Sequence, residues 1–200
     1  NFKDGELFEK EKLRRENKIV TTISDDNEML RNLSHLIAFS QNSNSETVEN
    51  ILKSGEFDKA FENFNLDKVA SLNPCDIADN HWYKIKGIRQ QAKLFHIVSL
   101  ARKIKRIGSL ADTFNNVNIP KKNSNQSDIE RFWKGFDILL TILKDYKIHF
   151  FQSTTSLLHF LLDNGYDCIK PDLVVMKVAK KLNIVTDETG DKNFRKKVKT

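Results

Sequence analysis

The stretch from Asp128 to Leu143 constrains the fold most. Ile129, Phe132, Trp133, Phe136, Leu139, Leu140 and Leu143 recur every third or fourth residue, which places them on one side of a helix. The same rhythm returns in Met29, Leu30, Leu33, Leu36 and Ile37, and again in Leu94, Ile97, Val98, Ala101 and Ile104. Glycine and proline number only 7 and 3, which favours helices over a turn-rich β fold. The expected fold class is all-α.

Two hundred residues suit one compact domain or two small lobes, and a hydrophobic fraction of 39% can supply the core. No apolar run approaches a membrane span and no stretch reads as a signal peptide, so the expectation is a cytoplasmic protein with no membrane partner. Cys75 and Cys168 form no Cys-x-x-Cys pair, and the five histidines show no ligand spacing, so neither a metal nor another cofactor is expected. His35 and His159 lie in apolar helices and read as satisfied core residues. The net charge of +6 and a pI near 9.2 suit a polyanionic partner without identifying it.

Residues 4–17 read as a polar peripheral helix. Ser24-Asp25-Asp26 supplies a cap for the helix that follows, with Glu28 placed for a capping box. That helix ends in Gln41-Asn42-Ser43-Asn44-Ser45, whose last serine is expected to cap the next one. Phe57, Phe61 and Phe64 fall on one face of a short helix, a spacing commoner in cores than in base-stacking platforms. Gly87-Ile88-Arg89-Gln90-Gln91-Ala92-Lys93 opens another helix, with Arg89 and Lys93 near its start as solvated charge or as anion contacts. Residues 115–127 are a loop by composition and the expected lobe boundary. Trp133 follows, for packing or for contact with a base. His149-Phe150-Phe151-Gln152-Ser153-Thr154-Thr155-Ser156 then precedes an apolar helix from Leu157 to Leu162, which Asn164-Gly165 should end. The residues after 186 form a basic tail.

Ile169-Lys170-Pro171-Asp172 starts the last helix. Proline fixes its own φ and biases Lys170 away from helix. Asp172 stands at the helix mouth, where a carboxylate can accept unpaired backbone N–H bonds. It reads as an ordinary N-cap or as an active-site carboxylate. Val175, Met176, Ala179 and Leu182 give that helix a face expected to be buried.

A helix, a tight turn and a helix begun by Pro-Asp resemble the end of the helix-hairpin-helix DNA glycosylases. Glu56-Phe57-Asp58-Lys59-Ala60-Phe61-Glu62-Asn63-Phe64 with Asp67-Lys68-Val69-Ala70 is similar to a segment of the 3-methyladenine DNA glycosylase I branch. The likeness runs with gaps from about Asp25 to Val185. It implies a two-lobed helical bundle forming a single glycosylase-like domain, acting as a monomer on double-stranded DNA. It also implies Asp172 as the catalytic residue, Gln41 and Trp133 at the base pocket or wedge, and DNA contacts from Gln152, Ser153, Thr154, Thr155, Arg89, Lys93 and Lys170. The chain departs from that branch in three ways. Its zinc ligands are absent, the Glu of its base pocket has no counterpart in Leu36-Ile37-Ala38, and it lacks the aspartate that this chain has at 172. The usual hairpin is also glycine-rich, whereas residues 149–156 contain no glycine.

The chemistry so implied is hydrolysis of the N-glycosidic bond of a flipped, alkylated purine in base excision repair. Residues 149–162 contain no lysine, so a monofunctional enzyme is expected rather than a lyase. The competing reading is a non-catalytic module of the same fold that binds bent or damaged duplex.

Overall fold

The computed structural model describes residues 23–41 and 43–186; the peripheral helix expected over 4–17 and the basic tail beyond 186 lie outside them. The protein is all-α, with ten α-helices, two 3₁₀ turns and no strand among the described residues. It divides into two compact units. The major unit takes Ile23–Asn118 and Gly135–Gln152, and the described part of the minor unit takes Ile119–Lys134 and residues 153–186. One crossing falls between Asn118 and Ile119, inside the loop expected to separate two lobes. Among the described residues the others fall at Lys134/Gly135 and Gln152/Ser153, so the units are not successive halves of the chain.

The major unit begins with α1 (Asp26–Phe39) and α2 (Ser45–Lys53). Asp25 caps α1, accepting from the N–H groups of Asn27 and Glu28 at 2.8 and 2.9 Å. The returning arm of the box is displaced by one residue, because Glu28 accepts from the N–H and hydroxyl of Ser24. Asn44, and not Ser45, caps α2: its Oδ1 accepts from Thr47 N–H at 2.9 Å, while Ser45 is already the first helical residue. Met29, Leu30, Leu33, Leu36 and Ile37 are buried, as their spacing predicts.

The three phenylalanines do not share one helix. α3 (Glu56–Ala60) stops before Phe61, and a 3₁₀ turn over Glu62–Phe64 follows, with positive φ at Glu62, Asn63 and Phe64. That backbone is unfavourable for residues with a Cβ. The three rings are fully buried within 5.1–5.9 Å of one another. Burying a side chain of this size contributes about 1.5–3 kcal/mol, enough to hold the turn. His35 lies at their margin, edge-on to Phe64, with its Nε2 3.4 Å from the Asp58 carboxylate. Burial lowers its pKa, and Asp58 partly offsets that. It is partly buried rather than a core residue.

α4 (Leu66–Ser71) packs chiefly on α6 (Ala92–Ile107), and α5 (Pro74–Ile85) lies between them in sequence. Arg102 of α6 donates to the carbonyls of Ala70 and Leu72 at 2.8 and 2.9 Å, satisfying acceptors that the end of α4 leaves open. A second 3₁₀ turn, Lys86–Ile88, joins α5 to the residues before α6. Gly87 allows a close approach there: a Cβ would lie 2.5 Å from Thr47 Cγ2 and 2.7 Å from Ile51 Cδ1. α7 (Leu110–Asn116) is capped by Ser109, and Asp26 of α1 accepts from its Ala111 N–H at 2.8 Å.

α8 (Gln126–Asp145) contains the division between the units. Its end is a Schellman turn with Lys147 at φ 51°, in which Ile148 N–H reaches Leu143 O at 2.8 Å and the Ile148 side chain is buried. α9 (Thr154–Asp163) and α10 (Leu173–Lys181) belong to the minor unit.

Candidate functional site

Ser153 caps α9, accepting from Ser156 N–H at 3.2 Å. A second Schellman turn closes the helix: Gly165 N–H reaches Leu162 O and Tyr166 N–H reaches Leu161 O, with Gly165 at φ 82°. That left-handed position is why glycine suits residue 165. Asp167 N–H then meets Lys121 O, and Asn123 donates to Asp167 O, so the loop after α9 is tied to residues 121–123. The chain runs through Pro171 to Asp172, whose N–H turns back to Lys170 O at 2.9 Å.

Asp172 caps α10. Its Oδ1 accepts from the N–H groups of both Val174 and Val175 at 3.0 Å, while Oδ2 accepts from no described residue. The side chain is half-buried. One oxygen therefore holds the helix mouth and the other takes no part in the cap.

The face of α10 differs from expectation. Met176 is buried and Val175 and Ala179 are half-buried, but Leu182 is 64% exposed because the helix ends at Lys181. Leu173, Val174 and Val178 are exposed too, beside Lys177, Lys180 and Lys181.

The other expected site residues fall in both units. Ser153, Thr154, Thr155, Lys170 and Trp133 share the minor unit with Asp172, whereas Gln41, Arg89, Lys93 and Gln152 belong to the major unit. Thr154, Thr155, Lys170 and Gln152 are half-buried. Trp133 is half-buried with its ring perpendicular to Phe132 at 5.3 Å, a packing contact. Gln41 and Arg89 are exposed, and both hold positive φ, 58° and 82°. His159 is half-buried, with Nε2 3.5 Å from Asp163. The glycine-free segment places Phe150 at φ 69°, and its ring meets His96.

Lys93 departs furthest from its expected role at the DNA surface. It has no exposed surface, and its Nζ donates to Ala38 O, Ser40 O, Ser43 Oγ and Ile88 O at 2.7–2.9 Å. No carboxylate touches it. Burial, and secondarily the positive charge of Arg89, lower its pKa to about 8. The four acceptors resist that loss of the proton. A lysine so depressed can be a nucleophile elsewhere, but one enclosed by four acceptors has no path to a substrate. The reason for its burial is visible in register: Lys93, Ile97 and Ala101 occupy successive turns on the buried side of α6. A charged residue on an apolar stripe was the available signal. Ser43, which completes the cage, gave none, because its partner lies fifty residues away.

Cys168 is partly buried with Sγ 3.5 Å from Leu158 O, and burial pushes its thiol up to about 12; Cys75 is exposed on α5. Among the described residues no group of three or more His, Cys, Asp or Glu is placed to hold a metal ion, and no helix is long and apolar enough to cross a membrane. Comparison of the chain with known protein families, curated proteins and solved structures returned no match.

Proposed function

We propose that this chain is a monofunctional DNA glycosylase of the helix-hairpin-helix type, hydrolysing the N-glycosidic bond of a flipped, alkylated purine. The observation that carries the reading is Asp172: a half-buried carboxylate at the mouth of α10, preceded by α9 and a glycine turn, with Oδ1 engaged and Oδ2 open. Sequence likeness to the glycosylases over Phe57–Ala70 and Gly165–Val185 supports it.

Alkylation at N3 or N7 makes a purine a cationic base that leaves as a neutral molecule, so little acid catalysis is required. The bond to C1′ breaks with its electron pair passing to the base, and positive charge develops on the sugar. Oδ2 of Asp172 faces that charge and orients the water that completes the hydrolysis. Oδ1 keeps the carboxylate fixed in place.

The test is base release from methylated duplex DNA by wild type and Asp172→Asn. Asparagine is as good an N-cap as aspartate, so the variant should stay folded. Release by the wild type and its loss in the variant, with binding retained, supports the enzyme. Equal release by both returns Asp172 to a capping role.

The second reading, a non-catalytic module binding damaged duplex, is favoured by one observation. The segment before α9 has no glycine, and Phe150 stands at φ 69° where glycine would allow close approach to phosphate. Binding to methylated duplex without base release from any lesion supports it.

A further inference from the structure

Two rows of side chains run side by side along α10. Val174, Val178 and Leu182 recur every fourth residue, and Leu182 continues the row past the last helical residue because its N–H still reaches Val178 O at 3.0 Å. Lys177 and Lys181 form the adjacent row, with Leu173 on its far side. The four apolar side chains are 50–70% exposed, so the core of the minor unit does not account for them. Met176, with Val175 and Ala179 half-buried, already anchors the helix from its other side.

The exposed side is unfavourable as it stands. Valine is a poorer helix former than alanine or leucine, because its branched β-carbon loses χ1 freedom against the preceding turn. Two valines in this row weaken the helix and gain little burial. The turn that follows repeats the pattern. Asn183 stands at φ 57°, its N–H reaches Lys180 O, and Ile184 N–H reaches Ala179 O, as in a Schellman turn. An apolar residue in the place of Ile184 ordinarily packs back on the helix, yet Ile184 is 71% exposed.

Charge selects the occupant. α10 contains three lysines and no acidic residue, and neither Lys177 nor Lys181 pairs with a carboxylate among the described residues. A second copy of the chain would bring one lysine row towards another. The flanking segments, 1–22 and 187–200, each carry more basic than acidic side chains and so offer no matching excess. A helix that lies in a membrane surface keeps its cations off the face it buries, whereas Lys177 and Lys181 stand in the middle of this one. Duplex DNA would use the lysines and leave the apolar row unexplained.

We propose that the exposed side of α10 is a docking face for an acidic amphipathic helix of another protein. Its apolar side chains would cover Val174, Val178 and Leu182, and its carboxylates would meet Lys177 and Lys181.

The test is the fluorescence anisotropy of a labelled synthetic helix titrated with the full chain. The helix carries leucine at every fourth position in one row and glutamate in the next; its twin carries lysine in place of glutamate. The wild type should bind the acidic helix saturably and the basic twin at least about tenfold more weakly. Val174→Ala/Val178→Ala should weaken binding about tenfold. Its melting temperature should be unchanged or higher, because alanine favours the helix. Lys177→Glu/Lys181→Glu should exchange the preference, so that the basic twin binds better.

Equal binding of the two helices, or binding that the valine changes leave untouched, overturns the proposal. So does association of the chain with phosphatidylserine vesicles, or with itself, that Val178→Asp abolishes, since the face then belongs to a lipid surface or a second copy. A wild type that does not bind the acidic helix overturns it as well, and a duplex affinity that then falls in Lys177→Glu/Lys181→Glu assigns the lysines to DNA. Base release plays no part, so the inference stands or falls apart from the glycosylase reading.

Discussion

Asp172 and Lys93 are opposite solutions to placing a charge in a small helical protein. Asp172 is half-open to solvent, and its partners are the next two N–H groups along the chain after Leu173. Lys93 is closed off, and three of its four partners lie at least fifty residues earlier in sequence. The carboxylate satisfies a helix end and keeps one oxygen spare. The ammonium spends every donor on holding turns in place. A group proposed to meet a substrate keeps a vacancy, whereas a group that holds geometry keeps none.

The contrast can be broken most sharply at Asp172. On the proposed chemistry, Asp172→Asn should reduce base release by about 10²–10³-fold, the usual loss when one preorganised electrostatic group is removed. Its unfolding curve should superimpose on that of the wild type; a shifted curve would mean that capping and chemistry are not separable.

Lys93→Met comes next. It leaves three carbonyls and a hydroxyl without their shared donor, and should destabilise the fold by about 3 kcal/mol in urea titration, since one unsatisfied buried polar group costs about 1–3 kcal/mol. A neutral result would show that the cage opens to water and that the ammonium is not structural.

Gly87→Ala probes the same cage from outside. The added methyl group meets Thr47 and Ile51, and overpacking of this kind costs about 1–3 kcal/mol. Because both neighbours offer side-chain ends that can give way, we expect the lower part of that range. Asp172→Ala should cost about 1 kcal/mol through loss of the cap alone. Comparing its melting temperature with that of Asp172→Asn isolates capping.

Proton linkage gives the most graded comparison. The native pKa of Lys93, about 8, lies below its unfolded value, so the native state holds fewer protons between the two. Its contribution to stability therefore grows as pH rises through that window and is lost as pH falls through 8. The stability difference between wild type and Lys93→Met, followed from pH 7 to 10, should widen in favour of the wild type. A difference independent of pH would show that the four oxygens have restored the ordinary lysine pKa.

What the sequence disclosed follows from distance along the chain. Asp25 and Asp172 as caps, the glycine turn after α9 and the buried stripe of α1 are all set within a few residues, and each was readable. The left-handed turn at Glu62–Phe64 was not, because local preference opposes it and only the packing of Phe57, Phe61 and Phe64 sustains it. Lys147 heads a Schellman turn without glycine because Ile148 is buried behind it. The stripe position of Lys93 was readable but its partners were not, because Ala38, Ser40 and Ser43 acquire their roles only when α6 returns to them.

The two cysteines have a practical consequence. The thiolate is the reactive form, and with its thiol pushed up to about 12 Cys168 offers almost none at neutral pH. Cys75 stands exposed near the start of α5. Brief maleimide treatment of the native chain should therefore attach a dye at one position without prior mutagenesis, giving a spectroscopic reporter in the unit that carries Gln41 and Arg89.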